Sequence, residues 1–287
     1  MKKVILSSNP YRDKGFRTLR QAMHLLQEQG VACSICLAFE VEQKSDLPQD
    51  LKFCDLNRAL KEAELLICFG GDGTVLHASK AATRAGVPVL GVNIGNMGYL
   101  AEVDSNELES LSKIVTGDYF LERRMMLRVQ IIREGIPIFE DYALNDAVIT
   151  KSAVARTVHL SLYCDDQPAL NLSGDGVIVC TPTGSTAYCM SAGGPLIEPT
   201  ARCMAITPIC AHDMLSKSFV LSAERTITVR SARAGKKTAY LSVDGGRAIR
   251  LLPGDTVSIG QANCETQFLR LVDRSMFEII NTKFRNK

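Results

Sequence analysis

The chain has 287 residues, of which 33 are basic and 31 acidic, leaving a formal net charge of +2. That length fits about two domains of roughly 150 residues, and an apolar share of 46% can fill one or two sizeable cores. The composition excludes collagen-like and disordered classes, and the near balance of charge gives no global case for nucleic-acid or anionic-membrane binding.

The first ten residues carry two lysines and only a short apolar run, Val4-Ile5-Leu6, before turning polar, which does not read as a signal peptide. No stretch of about 18 apolar residues occurs, so no transmembrane helix is expected. Ten cysteines, spread from Cys33 to Cys264, are then expected as reduced core residues of a cytoplasmic protein. Cys33 and Cys36 form the one close pair, and in an extended run their spacing puts the thiols on opposite faces, against a zinc site.

In chain order, Val4-Ile5-Leu6 predicts a strand and Thr18 to Gln29 a helix ending at Gly30, with apolar Leu19, Ala22, Met23, Leu25 and Leu26. Val31 to Phe39 predicts a second strand, followed by a polar connection and a helix to about Glu64. The apolar run Leu65 to Phe69 stops at Gly70-Gly71-Asp72-Gly73-Thr74, Val75 to Ala85 continues as a helix, and Val87 to Val92 is another strand. Such alternation predicts an open, mostly parallel α/β sheet. From about Met125 short strand-like runs dominate: 127–133, 143–150, 158–163, 177–180, 225–229 and 238–243. The expected organisation is an α/β domain over 1–124, closed by a C-terminal segment at about 272–287, and a β-rich, mainly antiparallel domain over 125–271.

The loop Gly70-Gly71-Asp72-Gly73-Thr74 lies where open α/β sheets bind ligands, beyond the carboxyl end of a strand. Its glycines let backbone N–H groups approach an anion, and the following helix start adds partial positive charge. Asp72 would repel phosphate unless it meets a metal or takes a proton, so it reads as a general base or a Mg²⁺ partner. A plain glycine-rich turn with Asp72 as helix cap is the alternative. No lysine follows the glycines as in a Walker A loop, and no G-x-S-x-G elbow occurs. A second glycine-rich element runs from Gly91 to Leu100. A third spans Ser173-Gly174-Asp175-Gly176, Thr181-Pro182-Thr183-Gly184-Ser185-Thr186-Ala187-Tyr188 and Ser191-Ala192-Gly193-Gly194-Pro195, whose hydroxyls suit ribose and phosphate oxygens.

These motifs together resemble the NAD kinases. The GGDGT loop is shared with diacylglycerol and sphingosine kinases, whereas the GDG, TPTGSTAY and SAGGP block and Leu144-Asn145-Asp146-Ala147-Val148 resemble NAD kinases specifically. The resemblance implies an active site in the cleft between the domains, and transfer of a phosphoryl group from ATP with Mg²⁺ to the 2′-hydroxyl of the adenosine ribose of NAD. Asp72 would be the general base, and Gly70, Gly71, Gly73 and Thr74 the phosphate loop, with Gly73 also passing close to the dinucleotide. Asn145 and Asp146 would grip the adenosine part, while Thr186, Ala187, Tyr188 and Ser191 line the NAD pocket. Asp175 would sit by the nicotinamide end. Arg156 falls where the family often places a basic contact, and reads equally as an ordinary strand-edge arginine. His212 matches a family histidine, though a structural role is the simpler reading. His77, one helical turn after Gly73, could face the cleft or lie on the helix surface. A homodimer or homotetramer is implied as well, with neither nucleic acid nor membrane as partner. The sequence departs from the family pattern at Lys217-Ser218, at Cys189, and at Asp244-Gly245-Gly246, which lacks the usual glutamine.

Overall fold

The computed structural model describes residues 1–38, 41, 47–95, 98–151, 157–212, 217–231, 239–272 and 275–285. The chain divides into two compact units, Met1–Arg123 with Thr266–Lys287, and Arg124–Glu265. The first unit is α/β and the second β-rich.

In the first unit the strands are β1 (Lys3–Ser8), β2 (Ala32–Cys36), β3 (Phe53–Cys54), β4 (Leu65–Gly70), β5 (Val89–Asn93) and β6 (Val103–Asp104). They pair in parallel in the order β5-β4-β1-β2-β3, with β6 beside β5. Every residue of β4 and β5 is buried, as continuous apolar strands of a parallel sheet require. Helix α1 (Arg17–Glu28) buries Leu19, Ala22 and Leu26, a face at helical spacing. The connection to β4 holds only a short helix α2 (Leu56–Leu60), capped by Asp55 accepting from the Arg58 N–H, instead of a helix reaching Glu64. Helix α3 (Asp72–Ala85) begins at once after β4 and ends on Gly86, and α4 (Ser112–Thr116) follows later. The N-terminal half of the second expected strand matches β2, which stops at Cys36.

The second unit begins with β7 (Phe120–Arg133), whose first residues still belong to the first unit, and β8 (Ile136–Ala143), joined by a tight Glu134-Gly135 turn with both φ positive. There follow β9 (Asp146–Lys151), β10 (Val158–Cys164), β11 (Gln167–Gly174), β12 (Gly176–Cys180), the one-turn helix α5 (Tyr188–Ser191), β13 (Cys203–Ile209) and β14 (Phe219–Ser222). The last strands are β15 (Ile227–Ser231), β16 (Ala239–Val243), β17 (Ile249–Leu251) and β18 (Thr256–Arg270), and a terminal helix α6 spans Met276–Arg285.

An antiparallel sheet runs β14-β13-β12-β9-β16-β17. Its central strands are buried on both faces: Ala147, Ile149, Val177 and Val179 join the main core, and Val148, Ile178 and Cys180 a second cluster with Cys189 and Ala205. β11-β10-β15-β18 form a further antiparallel array. Residues from Thr266 onward group with the first unit, where Phe268 of β18 pairs in parallel with Val89 of β5. No helix among the described residues is long and apolar enough to cross a membrane.

Candidate active site

Strand order in the first unit locates a site before any side chain is considered. β1 and β4 are parallel neighbours, yet the chain leaves β1 toward β2 and leaves β4 toward β5. Their carboxyl ends therefore flank a topological switch point, where such sheets bind ligands. Gly70 to Thr74 lies there, with Gly71 extended as the N-cap of α3 and its carbonyl accepting from the Thr74 and Val75 N–H groups. The earliest N–H groups of the helix have no carbonyl one turn back and point outward. Space is open around Gly73, while Thr74 is buried and its hydroxyl oxygen accepts from Asn9 Nδ2 at 3.3 Å.

Asp72 is the first residue of α3. Its carboxylate turns to the second glycine-rich element, accepting from the Tyr99 N–H at 2.8 Å on Oδ2 and the Leu100 N–H at 2.9 Å on Oδ1. Gly98 is required by this approach, since a Cβ there would overlap the Asp72 carboxylate. The element itself is shaped by Asn93, which donates to the Gly95 carbonyl and to Asp104, each at 3.0 Å. His77 is exposed on α3.

In the second unit Leu144 and Asn145 form the tight link from β8 to β9, which Asp146 opens. One carboxylate holds that link: Asp244 accepts from the N–H groups of Leu144 at 2.8 Å, Asn145 at 2.8 Å and Asp146 at 3.1 Å. Asp244 can face inward because it adopts a left-handed φ of 50° at the end of β16, and its own N–H donates to the Asp146 carbonyl at 2.9 Å. Thr181 grips the same link from the other side, its N–H donating to the Asn145 carbonyl and its hydroxyl to the Leu144 carbonyl. A Cβ on Gly184 would collide with the Asn145 carbonyl, so the TPTG stretch must carry glycine there.

Asp146 is only 5% exposed. Burial first, then the neighbouring Asp244 carboxylate, push its carboxyl up to about 7. Beyond Thr181 the chain makes a 3₁₀ turn, Thr183–Thr186, and then α5. Thr186 and Ala187 are half-buried, Tyr188 and Ser191 exposed, and Cys189 is packed inside with Sγ 3.3 Å from Thr207 Oγ1.

Asp175 is placed elsewhere. It precedes β12 and pairs with Lys151 at 2.5 Å, whereas Cys180 at the other end of β12 lies opposite Asp146; four residue steps put the two ends ~13 Å apart. His212 is exposed, its N–H donating to the Ser173 carbonyl. Arg156 lies outside the described residues. Asp244 as the anchor of Asn145-Asp146 is not legible in the sequence, where only the glutamine missing after Asp244-Gly245 stands out. Among the described residues no group of three or more His, Cys, Asp or Glu is arranged to hold a metal.

Residues 7–119 match the ATP-NAD kinase N-terminal domain family, and residues 144–271 the ATP-NAD kinase C-terminal domain family. The chain is 42% identical to an NAD kinase of Symbiobacterium thermophilum over 223 residues, covering 77% of this chain and 78% of the relative. It is 34% identical to an NAD kinase of Acetivibrio thermocellus over 290 residues, covering 100% and 98%. Among solved structures, the fold is similar to that of yeast NADH kinase complexed with NADH, with TM-score 0.86 and 21% identity over 99% of this chain and 88% of that one. It is also similar to an NAD kinase from Archaeoglobus fulgidus in complex with ATP, with TM-score 0.76 and 24% identity over 98% and 99%.

Proposed function

The chain belongs to the ATP-NAD kinase family and is an NAD kinase, and on that premise we propose that it transfers the γ-phosphoryl group of ATP to the 2′-hydroxyl of the adenosine ribose of NAD, giving NADP. The observation that carries this reading is the fixed Asp72 carboxylate at the mouth of the glycine loop. The N–H groups of Tyr99 and Leu100, one on each oxygen, set its direction. In phosphoryl transfer, positioning and charge neutralisation do most of the work. Asp72 orients the 2′-hydroxyl and takes its proton as the oxygen bonds to phosphorus and ADP departs.

Gly70, Gly71, Gly73 and Thr74 form the phosphate loop, through N–H groups at the start of α3. Mg²⁺ bound to the triphosphate would supply charge neutralisation there. Asn145 and Asp146 hold the adenosine part, a task for which Asp244 and Thr181 pre-set the backbone. Thr186, Ala187, Tyr188 and Ser191 line the dinucleotide pocket. Asp175 serves the nicotinamide end, and its place at the far end of β12 suits a homodimer or homotetramer in which a neighbouring chain completes the pocket. Arg156 adds a basic contact, and the enzyme works in the cytoplasm.

Incubating the purified protein with NAD⁺, Mg²⁺ and ATP, and detecting the product with an NADP-specific dehydrogenase, tests the reading. NADP⁺ is expected with the wild type and almost none with Asp72→Asn, which should still bind NAD. Full activity in that variant removes Asp72 as the base, and product phosphorylated elsewhere than the 2′-oxygen overturns the reaction.

A further inference from the structure

We propose that Arg12 is a donor-binding residue whose guanidinium grips the phosphoryl group being transferred; this rests on the reading of residues 70–74 as the phosphate loop. Arg12 lies in the turn that follows β1, on the β1 side of the switch point whose β4 side carries the glycine loop. That turn is fastened to the loop's own strand. The Asn9 N–H donates to the Phe69 carbonyl at 3.0 Å, and Asn9 Nδ2 reaches Thr74 Oγ1. The Asn9 carbonyl accepts from the N–H groups of Arg12 at 3.1 Å and Asp13 at 2.8 Å. Asp13, 2% exposed, locks the other side by accepting from Ser8 Oγ, Thr18 N and Leu19 N. The backbone that carries Arg12 is therefore set before a ligand arrives.

From this anchor the side chain reaches across the loop mouth. Its Cζ lies 3.9 Å from where a Cβ on Gly71 would stand, and Nη1 lies 3.4 Å from the corresponding point on Gly95. The guanidinium thus sits against both glycine-rich elements. Two other arginines of this unit are paired with carboxylates, Arg20 with Asp50 and Arg270 with Glu102 and Glu122. Arg12 has no ion pair and no side-chain hydrogen bond among the described residues. A planar fork of donors beside a phosphate loop, with no acid paired to it among the described residues, fits two oxygens of a phosphoryl group.

During transfer the bond from the γ-phosphorus to its bridging oxygen breaks, and ADP leaves with the electron pair. The 2′-oxygen bonds to phosphorus as its proton passes to Asp72. Arg12 exchanges no proton; its donors meet the non-bridging oxygens, where charge is spread in the transition state.

The experiment compares Arg12→Ala, Arg12→Lys and Gly73→Glu in the full chain by steady-state kinetics with ATP and NAD varied in turn. Arg12→Ala is expected to lower kcat/KM for ATP about 10²-fold and to leave KM for NAD within about twofold. Arg12→Lys should fall between, and guanidinium chloride added at millimolar concentration should restore part of the activity of Arg12→Ala alone. Wild-type kcat/KM for ATP in Arg12→Ala, or a KM for NAD that rises as much as that for ATP, overturns the role of Arg12. Gly73→Glu puts a carboxylate into the open space of the loop and should abolish use of ATP. If it instead leaves ATP kinetics untouched, the phosphate-loop reading fails and takes this proposal with it.

Discussion

The glycine loop of the first unit and the Asn145-Asp146 link of the second are held by the same kind of bond with its polarity reversed. In the first, the proposed functional group is a carboxylate, Asp72, and the scaffold supplies the N–H groups of Tyr99 and Leu100. In the second, the functional segment supplies three N–H groups and the scaffold supplies the carboxylate of Asp244. On the proposed roles, a side chain that meets one reacting hydroxyl is thereby aimed, whereas the stretch that reads a base and a ribose has its backbone fixed. The cost differs as well. The Asp244 carboxylate sits beside Asp146, whose carboxyl is pushed up to about 7 by burial first and by this neighbour second.

The largest effect should come from the aimed side chain. Asp72→Asn is expected to cut kcat by about 10²- to 10⁴-fold with the dissociation constant for NAD unchanged by calorimetry; a matching loss of NAD affinity would make Asp72 a binding group instead. Gly98→Ala disturbs the aim without touching the group, because the new methyl overlaps the carboxylate. It should lower kcat by about 10²-fold, and a fully active variant would show that Asp72 works from another orientation.

Asp244→Ala attacks the reversed arrangement. Stranding buried N–H groups should cost about 3 kcal/mol of unfolding free energy in urea and raise KM for NAD while leaving KM for ATP alone. Equal shifts in both would reduce Asp244 to a general fold residue.

The Asp146 carboxyl gives the comparison a pH dependence. Its folded pKa of about 7 exceeds its ordinary 3.8, so between these values the folded state keeps a proton that the unfolded state has released. Its contribution to stability therefore falls as pH rises across that window. Asp146→Asn carries no such cost, and its stability relative to wild type should improve from about pH 5 to about pH 8; a difference that stays flat in urea unfolding contradicts the raised carboxyl. The smallest effect is expected at the half-exposed Lys151–Asp175 pair, where Lys151→Met should change stability by under ~1 kcal/mol.

Much of the first unit could be read along the chain. Buried parallel strands are continuous apolar runs, and Leu65 to Phe69 followed by glycines announces a strand, a loop and a helix in that order. The second unit was less legible. β13 contains Pro208, which has no N–H to donate and argues against a strand, yet it pairs on both sides, with Val177 of β12 opposite Pro208. β8 begins Ile-Pro-Ile with three exposed residues, so no buried face marks it.

By itself the sequence determined the main strand and helix alternation of the first half, the α/β and β-rich halves and the family, because apolar period, glycine placement and the TPTGSTAY block are local properties. Tertiary structure alone decided what holds the site. Asp72 finds its donors 27 and 28 residues away, and Asp244 finds its own 98 to 100 residues away. Arg12 meets the glycine loop because β1 and β4 are neighbours. Hydrogen bonds reach about 3 Å, so such partners are chosen by which strand ends the sheet brings together, and local periodicity carries no record of that choice.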